Sequence, residues 1–159
     1  MKKIFYDMDN VLALFSIKGN EGGSLERMFE KGFFRNLPVM ENAVIALKTL
    51  TMLGFEVRIM SACVETPYCE VEKKEWLKEY FPFIPESHQH FCKVGENKAE
   101  MLKAQGIDMT GSYLVDDYKK NLIQWEEVGG LPIKKRFSDK GHWERVVKNH
   151  LDILEIVLD

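Results

Sequence analysis

Short β-rich segments alternate with segments of helical periodicity along most of the chain, and this alternation restricts the possible folds more than any other feature. Strands are predicted over residues 2–7, 55–60, 88–93, 112–115 and 132–137, and helices over 41–53, 66–80, 97–105 and a stretch through Trp125. Such alternation is typical of βαβ units, in which helices cover both faces of a parallel sheet. We therefore predict an α/β, doubly wound, mostly parallel Rossmann-like sheet that forms a single domain over residues 1–159.

Three segments carry more specific expectations. The stretch after the first strand, approximately 14–38, is too long for a tight βα loop and is predicted to form a small helical cap, with a helix from Ser24 to Lys31. Pro132 predicts an edge strand, because proline cannot donate a ladder hydrogen bond. A last helix is predicted from near Gly141, with a buried stripe of Val147, Leu151, Leu154 and Leu158.

Composition excludes several classes of protein. With 45% hydrophobic residues the chain can form a packed core, and its net charge of −3 argues against a nucleic-acid polymer as partner. No apolar run is long enough for a membrane span, and Asp7 and Asp9 interrupt the stretch that an export signal would need. The odd count of three cysteines, none in a close C-x-x-C pair, predicts a reduced, cytoplasmic protein.

Polar residues follow four of the predicted strands. Two aspartates, Asp7 and Asp9, end the first apolar run, and they repel each other unless a cation or a shared proton compensates. Ser61 follows the second strand, Lys98 opens the helix after the third, and Asp116 and Asp117 follow the fourth. The carboxyl ends of parallel strands share one edge of a sheet, so these residues can meet there.

This set of residues fits phosphoryl transfer from a phosphomonoester. One carboxylate can act as the nucleophile, a second as general acid and base, and a third as a ligand of Mg²⁺, while a hydroxyl and a lysine bind phosphate oxygens. Each residue also has a structural interpretation. Ser61 can cap a turn, Lys98 can be a solvated helix lysine, Asp116-Asp117 can cap the next helix, and Glu72 to Glu75 form a solvated helix face.

Several motifs also resemble a known family. Asp7-Met8-Asp9-Asn10-Val11-Leu12-Ala13 is similar to the first motif of the haloacid dehalogenase (HAD) superfamily of phosphatases, and Ser61, Lys98 and Leu114-Val115-Asp116-Asp117 resemble the next three. Gly32 to Leu37, and Tyr68-Cys69 with Glu72-Lys73 and Trp76, resemble the 5′(3′)-deoxyribonucleotidases of the cytosolic type C 5′-nucleotidase group.

The resemblance implies a Mg²⁺-dependent enzyme, a monomer or homodimer, that hydrolyses (deoxy)nucleoside monophosphates through an aspartyl-phosphate. Asp7 is then the nucleophile and Asp9 the general acid and base. The implied metal ligands are Asp7, Asp9, Asp116 and Asp117. The implied phosphate site is Ser61, Ala62 and Lys98, and the implied base pocket is Phe15, Phe33 and Phe34.

Departures from the family pattern leave alternatives open. Asn10 replaces a usual glycine, Ala62 stands where relatives often carry a second hydroxyl, and Tyr118 stands where they often have Arg. A phosphatase of another small metabolite, such as a sugar phosphate, is the alternative. A phospho-accepting domain of the response-regulator type is disfavoured, because its acceptor aspartate ends strand three, where this chain has Cys92-Lys93.

Overall fold

The computed structural model describes residues 1–15, 25–135 and 143–159. The strands are β1 (Lys3–Tyr6), β2 (Glu56–Cys63), β3 (Gln89–Lys93), β4 (Tyr113–Asp116), β5 (Leu131–Lys135) and β6 (Val146–Val147). The α-helices are α1 (Ala43–Met52), α2 (Cys69–Tyr80), α3 (Lys98–Ala104), α4 (Lys119–Glu127) and α5 (Asp152–Leu158). Two 3-10 helices, Leu25–Phe29 and Glu86–His88, complete the described elements. None of the helices in these ranges combines the length and apolar composition that a bilayer span requires.

The strands form one six-stranded sheet in the order β3-β2-β1-β4-β5-β6, with every neighbouring pair parallel. The doubly wound α/β prediction is therefore confirmed. The chain runs from β1 outward to β3 on one side and then returns to β4 on the other. This reversal opens a crevice between the carboxyl ends of β1 and β4, where ligands bind in sheets of this class.

Side chains alternate between two cores along the central strand β1. Ile4 and Tyr6 face a core shared with α1, α2 and α5, whereas Phe5 faces a second core shared with α3 and α4. Both faces are apolar because helices cover both, as expected for parallel strands. Trp125 of α4 packs edge-on against Phe5, with the ring centroids 4.9 Å apart. The two cores thus pack against both faces of β1 and β4 beneath the crevice.

The edge-strand prediction for Pro132 is wrong, because β6 extends the sheet beyond β5. Leu131 N–H donates to Ser112 on the β4 side and Lys134 N–H donates to Arg145 on the β6 side. By this alternation, the nitrogen of Pro132 faces the β6 side, but β6 pairs only with Lys134 and Lys135. The missing N–H of Pro132 therefore breaks no ladder hydrogen bond, because β6 does not reach this residue.

The predicted last helix is also wrong in position and register. Val147 belongs to β6, and α5 begins only at Asp152. The helix buries Ile153 and Val157, whereas its last residue, Leu158, and the preceding Leu151 are exposed. The predicted start at Gly141 lies outside the described residues, as do Ser24 and the first part of the predicted cap. The described part of the predicted cap, residues 25–38, is called the insertion below and holds the 3-10 helix Leu25–Phe29 followed by turns.

Candidate active site

The chain turns sharply just after β1, and this turn places both acidic residues of the first motif at the crevice. Asp7 N–H still bonds to Val115 of β4, at 3.0 Å. The Met8 carbonyl then accepts hydrogen bonds from Leu12 and Ala13, at 2.8 and 2.9 Å. Asn10 takes the left-handed conformation, with φ of 61°, which asparagine tolerates better than most residues. Asp7 is buried at the strand end, and Asp9 lies across the turn with its side chain partly exposed.

A single buried lysine joins carboxylates from the two halves of the sheet. Lys98 Nζ lies 2.8 Å from Asp7 Oδ1 and 3.0 Å from Asp116 Oδ2. Asn97 caps α3 by accepting from Glu100 N–H, at 3.1 Å, and so starts the helix at Lys98. Burial alone would favour the neutral amine, but the two carboxylates raise the pKa of Lys98 above its ordinary value. The lysine is therefore charged and bridges the crevice.

Asp116 is the most constrained member of the site. It ends β4 and is completely buried. Its Oδ1 accepts from Tyr118 N–H at 2.9 Å, and its Oδ2 accepts from Asn121 Nδ2 at 3.0 Å as well as from Lys98. Backbone and side-chain donors at the start of α4 thus fix the orientation of this carboxylate.

Asp7, Asp116 and Asp117 each offer a carboxylate oxygen within 4.8 Å of the others. Burial, followed by the nearby charge of Asp116, raises the pKa of Asp7 to about 8 and that of Asp117 to about 7. One lysine therefore does not compensate all the negative charge gathered here. Three hard oxygen donors at this spacing are the ligand type that Mg²⁺ prefers, and a cation there would relieve the repulsion. The residues present thus fit the metal that the sequence predicted.

A second buried lysine, which sequence reasoning missed, holds Asp9. Lys73 Nζ donates to Asp9 Oδ2 at 2.9 Å, to Ser61 Oγ at 2.8 Å and to the Ala62 carbonyl at 2.7 Å. These acceptors use all three ammonium protons. Burial opposes the charge on Lys73, but Asp9 and neighbouring groups raise the pKa of the lysine overall. The ammonium also lies 4.8 Å from the centroid of the Phe34 ring.

The prediction that Glu72 to Glu75 form a solvated face is therefore wrong for its first two residues. Lys73 is 1% exposed and Glu72 is 6% exposed. A signal was present, because Lys73 follows Cys69 by four positions and precedes Trp76 by three, which is the spacing of one helix face. The run of four charged residues, 72–75, concealed that Glu72 and Lys73 lie on the buried face of the helix. Within this run only Lys74 and Glu75 are exposed.

Helix α2 also fastens the insertion to the sheet. The Glu72 carboxylate accepts from Gly32 N–H at 3.0 Å and from Arg35 N–H at 3.2 Å. Trp76 Nε1 donates to the Leu37 carbonyl at 2.8 Å. This part of the insertion forms no strand or α-helix, so its backbone groups need other hydrogen-bond partners. Side chains of α2 bind the N–H groups of Gly32 and Arg35 and the carbonyl of Leu37.

A pocket of about 300 Å³ opens onto the acidic residues. Its lining includes Asp7, Asp9, Ala62, Lys98, Tyr118, Lys120, Asn121 and Gln124. Ser61, predicted to follow β2, lies inside that strand opposite Phe91 and is fully buried. Ala62 therefore reaches the pocket, whereas the Ser61 hydroxyl accepts from Lys73 beneath it.

The three phenylalanines of the predicted base pocket pack on one another. Phe33 lies edge-on to both Phe15 and Phe34, with ring centroids 5.4 and 5.1 Å apart. Phe33 and Phe34 are buried in the larger core, and Phe15 is only partly exposed beside them. None of the three lines the pocket at Asp7. In this structure their contacts are those of core residues.

Known proteins resemble the chain over most of its length. A profile of the family described as "5′ nucleotidase, deoxy (Pyrimidine), cytosolic type C protein" matches residues 8–157. A Staphylococcus aureus (strain Mu50) protein, provisionally named a 5′(3′)-deoxyribonucleotidase, is 33% identical over 148 residues, which span 87% of this chain and 74% of that protein. The 5′(3′)-deoxyribonucleotidase of Bacillus subtilis (strain 168) is 31% identical over 122 residues, spanning 69% and 70%.

A solved structure shares the fold at much lower identity. The D,D-heptose 1,7-bisphosphate phosphatase of B. bronchiseptica, complexed with magnesium and phosphate, matches with a TM-score of 0.70 and 13% identity. The match covers 99% of this chain and 98% of the other.

Proposed function

The chain belongs to the cytosolic type C 5′(3′)-deoxyribonucleotidase family and has the HAD fold, and from this we propose that it is a cytoplasmic, Mg²⁺-dependent phosphatase of (deoxy)nucleoside monophosphates. The products are a nucleoside and inorganic phosphate. The relatives' names support the substrate class. The further proposal, an aspartyl-phosphate intermediate, rests on the geometry of the crevice.

One observation carries the mechanism: Lys98 bridges Asp7 and Asp116 at 2.8 and 3.0 Å. The two carboxylates come from neighbouring strands, and the pocket opens on the Asp7 side. A phosphate dianion near these carboxylates is repelled, since each like-charge pair at about 4 Å costs roughly 4 kcal/mol at an effective dielectric of 20. Lys98 offsets part of that repulsion. A bound Mg²⁺, held by Asp7, Asp116 and Asp117, would supply the remaining positive charge.

Asp7 is proposed as the nucleophile. Its carboxylate oxygen forms a bond to phosphorus while the bond between phosphorus and the ester oxygen of the nucleoside breaks. The Lys98 ammonium fixes one Asp7 oxygen, Oδ1, so the other oxygen is the one free to turn towards the pocket. Water then attacks the phosphorus of the aspartyl-phosphate, which releases phosphate and restores Asp7.

Asp9 is proposed as the general acid and base, and Lys73 as the residue that positions it. Asp9 gives its proton to the departing nucleoside oxygen and later takes one from the attacking water. The hydrogen bond from Lys73 fixes Asp9 Oδ2, and the buried Oδ1 has no hydrogen-bond partner among the described residues. This free atom supports the assignment, because a purely structural buried carboxylate is normally satisfied at both oxygens.

The domain proposal remains a single HAD-like domain over 1–159 with a small insertion at approximately 14–38. The anchoring of this insertion by Glu72 and Trp76 supports the idea that it covers the crevice as part of the same unit.

The pocket also offers Tyr118, which is 59% exposed, as an aromatic surface beside the phosphate site. Base recognition by Phe15, Phe33 and Phe34 would need at least one ring to leave its present packing.

Turnover of a substrate panel tests the proposal. Phosphate release is measured with dUMP, dTMP, ribonucleotides and sugar phosphates, with Mg²⁺ and with excess chelator. We expect nucleotides to be preferred and Mg²⁺ to be required. Asp7→Asn should abolish turnover, and a far-ultraviolet CD spectrum matching the wild type should show that the fold is intact. Mg²⁺-dependent hydrolysis retained by Asp7→Asn would refute the assigned nucleophile, and a clear preference for sugar phosphates would refute the substrate class.

A further inference from the structure

The pocket at Asp7 continues into a second groove on the surface of the protein. This groove, called the α4 groove below, has a volume of about 510 Å³ and is lined mainly by residues of α4. Tyr118, Lys120 and Gln124 line both the α4 groove and the pocket at Asp7. The two cavities therefore adjoin, and one molecule can occupy both.

Tyr118 lies where the pocket and the α4 groove meet. Its backbone N–H donates to Asp116 Oδ1 at 2.9 Å, so the residue is held beside a proposed metal ligand. Its side chain, in contrast, is largely exposed. Of the described residues, it is the only aromatic one that lines the pocket at Asp7. A ring fixed at its base and open to the pocket offers a flat surface on which another ring can stack.

The neighbours of Tyr118 on α4 suit a molecule with a flat apolar face and a polar edge. Ile123 is exposed and adds apolar surface to the α4 groove. Lys120 and Gln124 are four residues apart and so lie on one face of the helix. Both offer N–H donors, and Gln124 also offers a carbonyl acceptor. A nucleobase has this combination of a flat ring and a hydrogen-bonding edge.

Phe29 of the insertion is the rival for contact with a base. It is exposed and lines a different groove, together with Cys63 and Val64. Of the described residues, Val94 alone lines both that groove and the pocket at Asp7, whereas three residues join the α4 groove to the pocket. Tyr118 is therefore the better placed of the two exposed rings, and it needs no rearrangement to receive a base.

We propose that the nucleobase of the substrate stacks on the Tyr118 ring in the α4 groove while the phosphate lies at Asp7. This inference rests on the proposed function and adds the position of the base. The sugar, which joins phosphate and base, then crosses from the pocket into the groove. Stacking on an aromatic ring tolerates any base, because every base has a flat π-face. Tyr118 therefore discriminates nucleotides from sugar phosphates rather than one base from another.

A substrate without a base provides the test. The kcat/KM of the full-length protein is measured with dUMP and with 2-deoxyribose 5-phosphate, which has the sugar and the phosphate but no base. In Tyr118→Ala the ratio of the first value to the second should fall about tenfold, which is about 1.4 kcal/mol and lies within the range for stacking one base on an aromatic ring. Tyr118→Phe, which keeps the ring, should retain the wild-type ratio. Phe29→Ala is the matched control, because it removes an exposed ring from the other groove, and it should retain the wild-type ratio too.

A wild-type ratio in Tyr118→Ala, or a ratio lost in Phe29→Ala instead, would overturn the proposal. An equal fall for both substrates in Tyr118→Ala would also overturn it, because a lost base contact cannot affect a substrate that has no base. Calorimetry on Asp7→Asn gives a measurement without turnover: the Kd of dUMP should rise about tenfold when Tyr118→Ala is added, and an unchanged Kd would contradict the stacking. Failure of the proposed function has a different result, since the wild type would then hydrolyse 2-deoxyribose 5-phosphate as fast as dUMP.

Discussion

Replacing Lys73 by Met gives the sharpest test of the site, because it removes the charge but keeps most of the buried volume. The ammonium of Lys73 donates to Asp9, Ser61 and the Ala62 carbonyl. A hydrogen bond to a charged group contributes about 1.5–3 kcal/mol. If the bond to Asp9 orients the general acid, its loss should lower kcat for nucleotides about 100-fold, which corresponds to about 2.7 kcal/mol.

The chemistry of the leaving group separates a positioning role from a merely structural one. A nucleoside alkoxide needs a proton on departure, whereas a nitrophenolate leaves without one. The kcat of Lys73→Met should therefore fall about 100-fold with dUMP and much less with para-nitrophenyl phosphate. Stability should also decrease, by about 2 kcal/mol, because buried acceptors lose a donor while the cost of burying a charge disappears. Chemical denaturation measures this second effect separately.

Lys74→Met is the matched control, since Lys74 is the next residue on α2 and its exposed ammonium lies 3.3 Å from Glu70 and 5.7 Å from the centroid of the Phe91 ring. We expect its kinetics and stability to match the wild type, as surface ion pairs contribute little. Equal losses of kcat for both substrates in Lys73→Met would refute the positioning role of Lys73. A kcat within about threefold of the wild type for both would do the same.

Three further outcomes follow from the structure. Removal of divalent cations should abolish phosphate release and lower the melting temperature, because Asp7, Asp116 and Asp117 then repel one another. Calorimetry with and without Mg²⁺ measures the melting temperature, and identical melting curves would contradict a metal at these residues. Burial lowers the pKa of His150 to about 4, so the unfolded state binds more protons between about pH 6.5 and 4. The contribution of His150 to stability should therefore fall by about 3 kcal/mol as the pH drops through that window, and the difference between urea titrations of the wild type and His150→Gln should show this component. Gly130→Ala would place a methyl carbon 2.3 Å from the Trp125 ring, and should cost about 1–3 kcal/mol of stability by overpacking; an unchanged urea midpoint would show that the turn adjusts.

The sequence predicted those parts of the molecule that depend on local pattern. Alternating strands and helices implied a parallel sheet, and the carboxyl ends of its strands implied that Asp7, Lys98 and Asp116 would meet. The structure brings these three together. Position on a strand end is enough for this inference, because sheet geometry converts sequence order into proximity. Their catalytic roles remain predictions.

Features that depend on non-local partners were missed. Strand β6 has only two residues, which is too short to show alternation, and Val147 happens to have helical spacing to Leu151, Leu154 and Leu158. Only pairing with β5 identifies it as a strand. The spacing of Lys73 to Cys69 and Trp76 indicated a buried position, but nothing local indicates that Asp9 and Ser61 are its partners.

Glu72 and Lys73 are adjacent, yet one binds the backbone of the insertion and the other binds Asp9. Successive residues on a helix point about 100° apart, so two different parts of the protein depend on a single turn of α2. Anyone who exchanges the insertion for that of a relative, to change substrate choice, should therefore transplant residues 72–76 with it. A chimera that takes the insertion from a relative but keeps its own residues 72–76 would lose the hydrogen bonds that hold the new insertion. The repacking that follows would then displace Asp9, the proposed general acid.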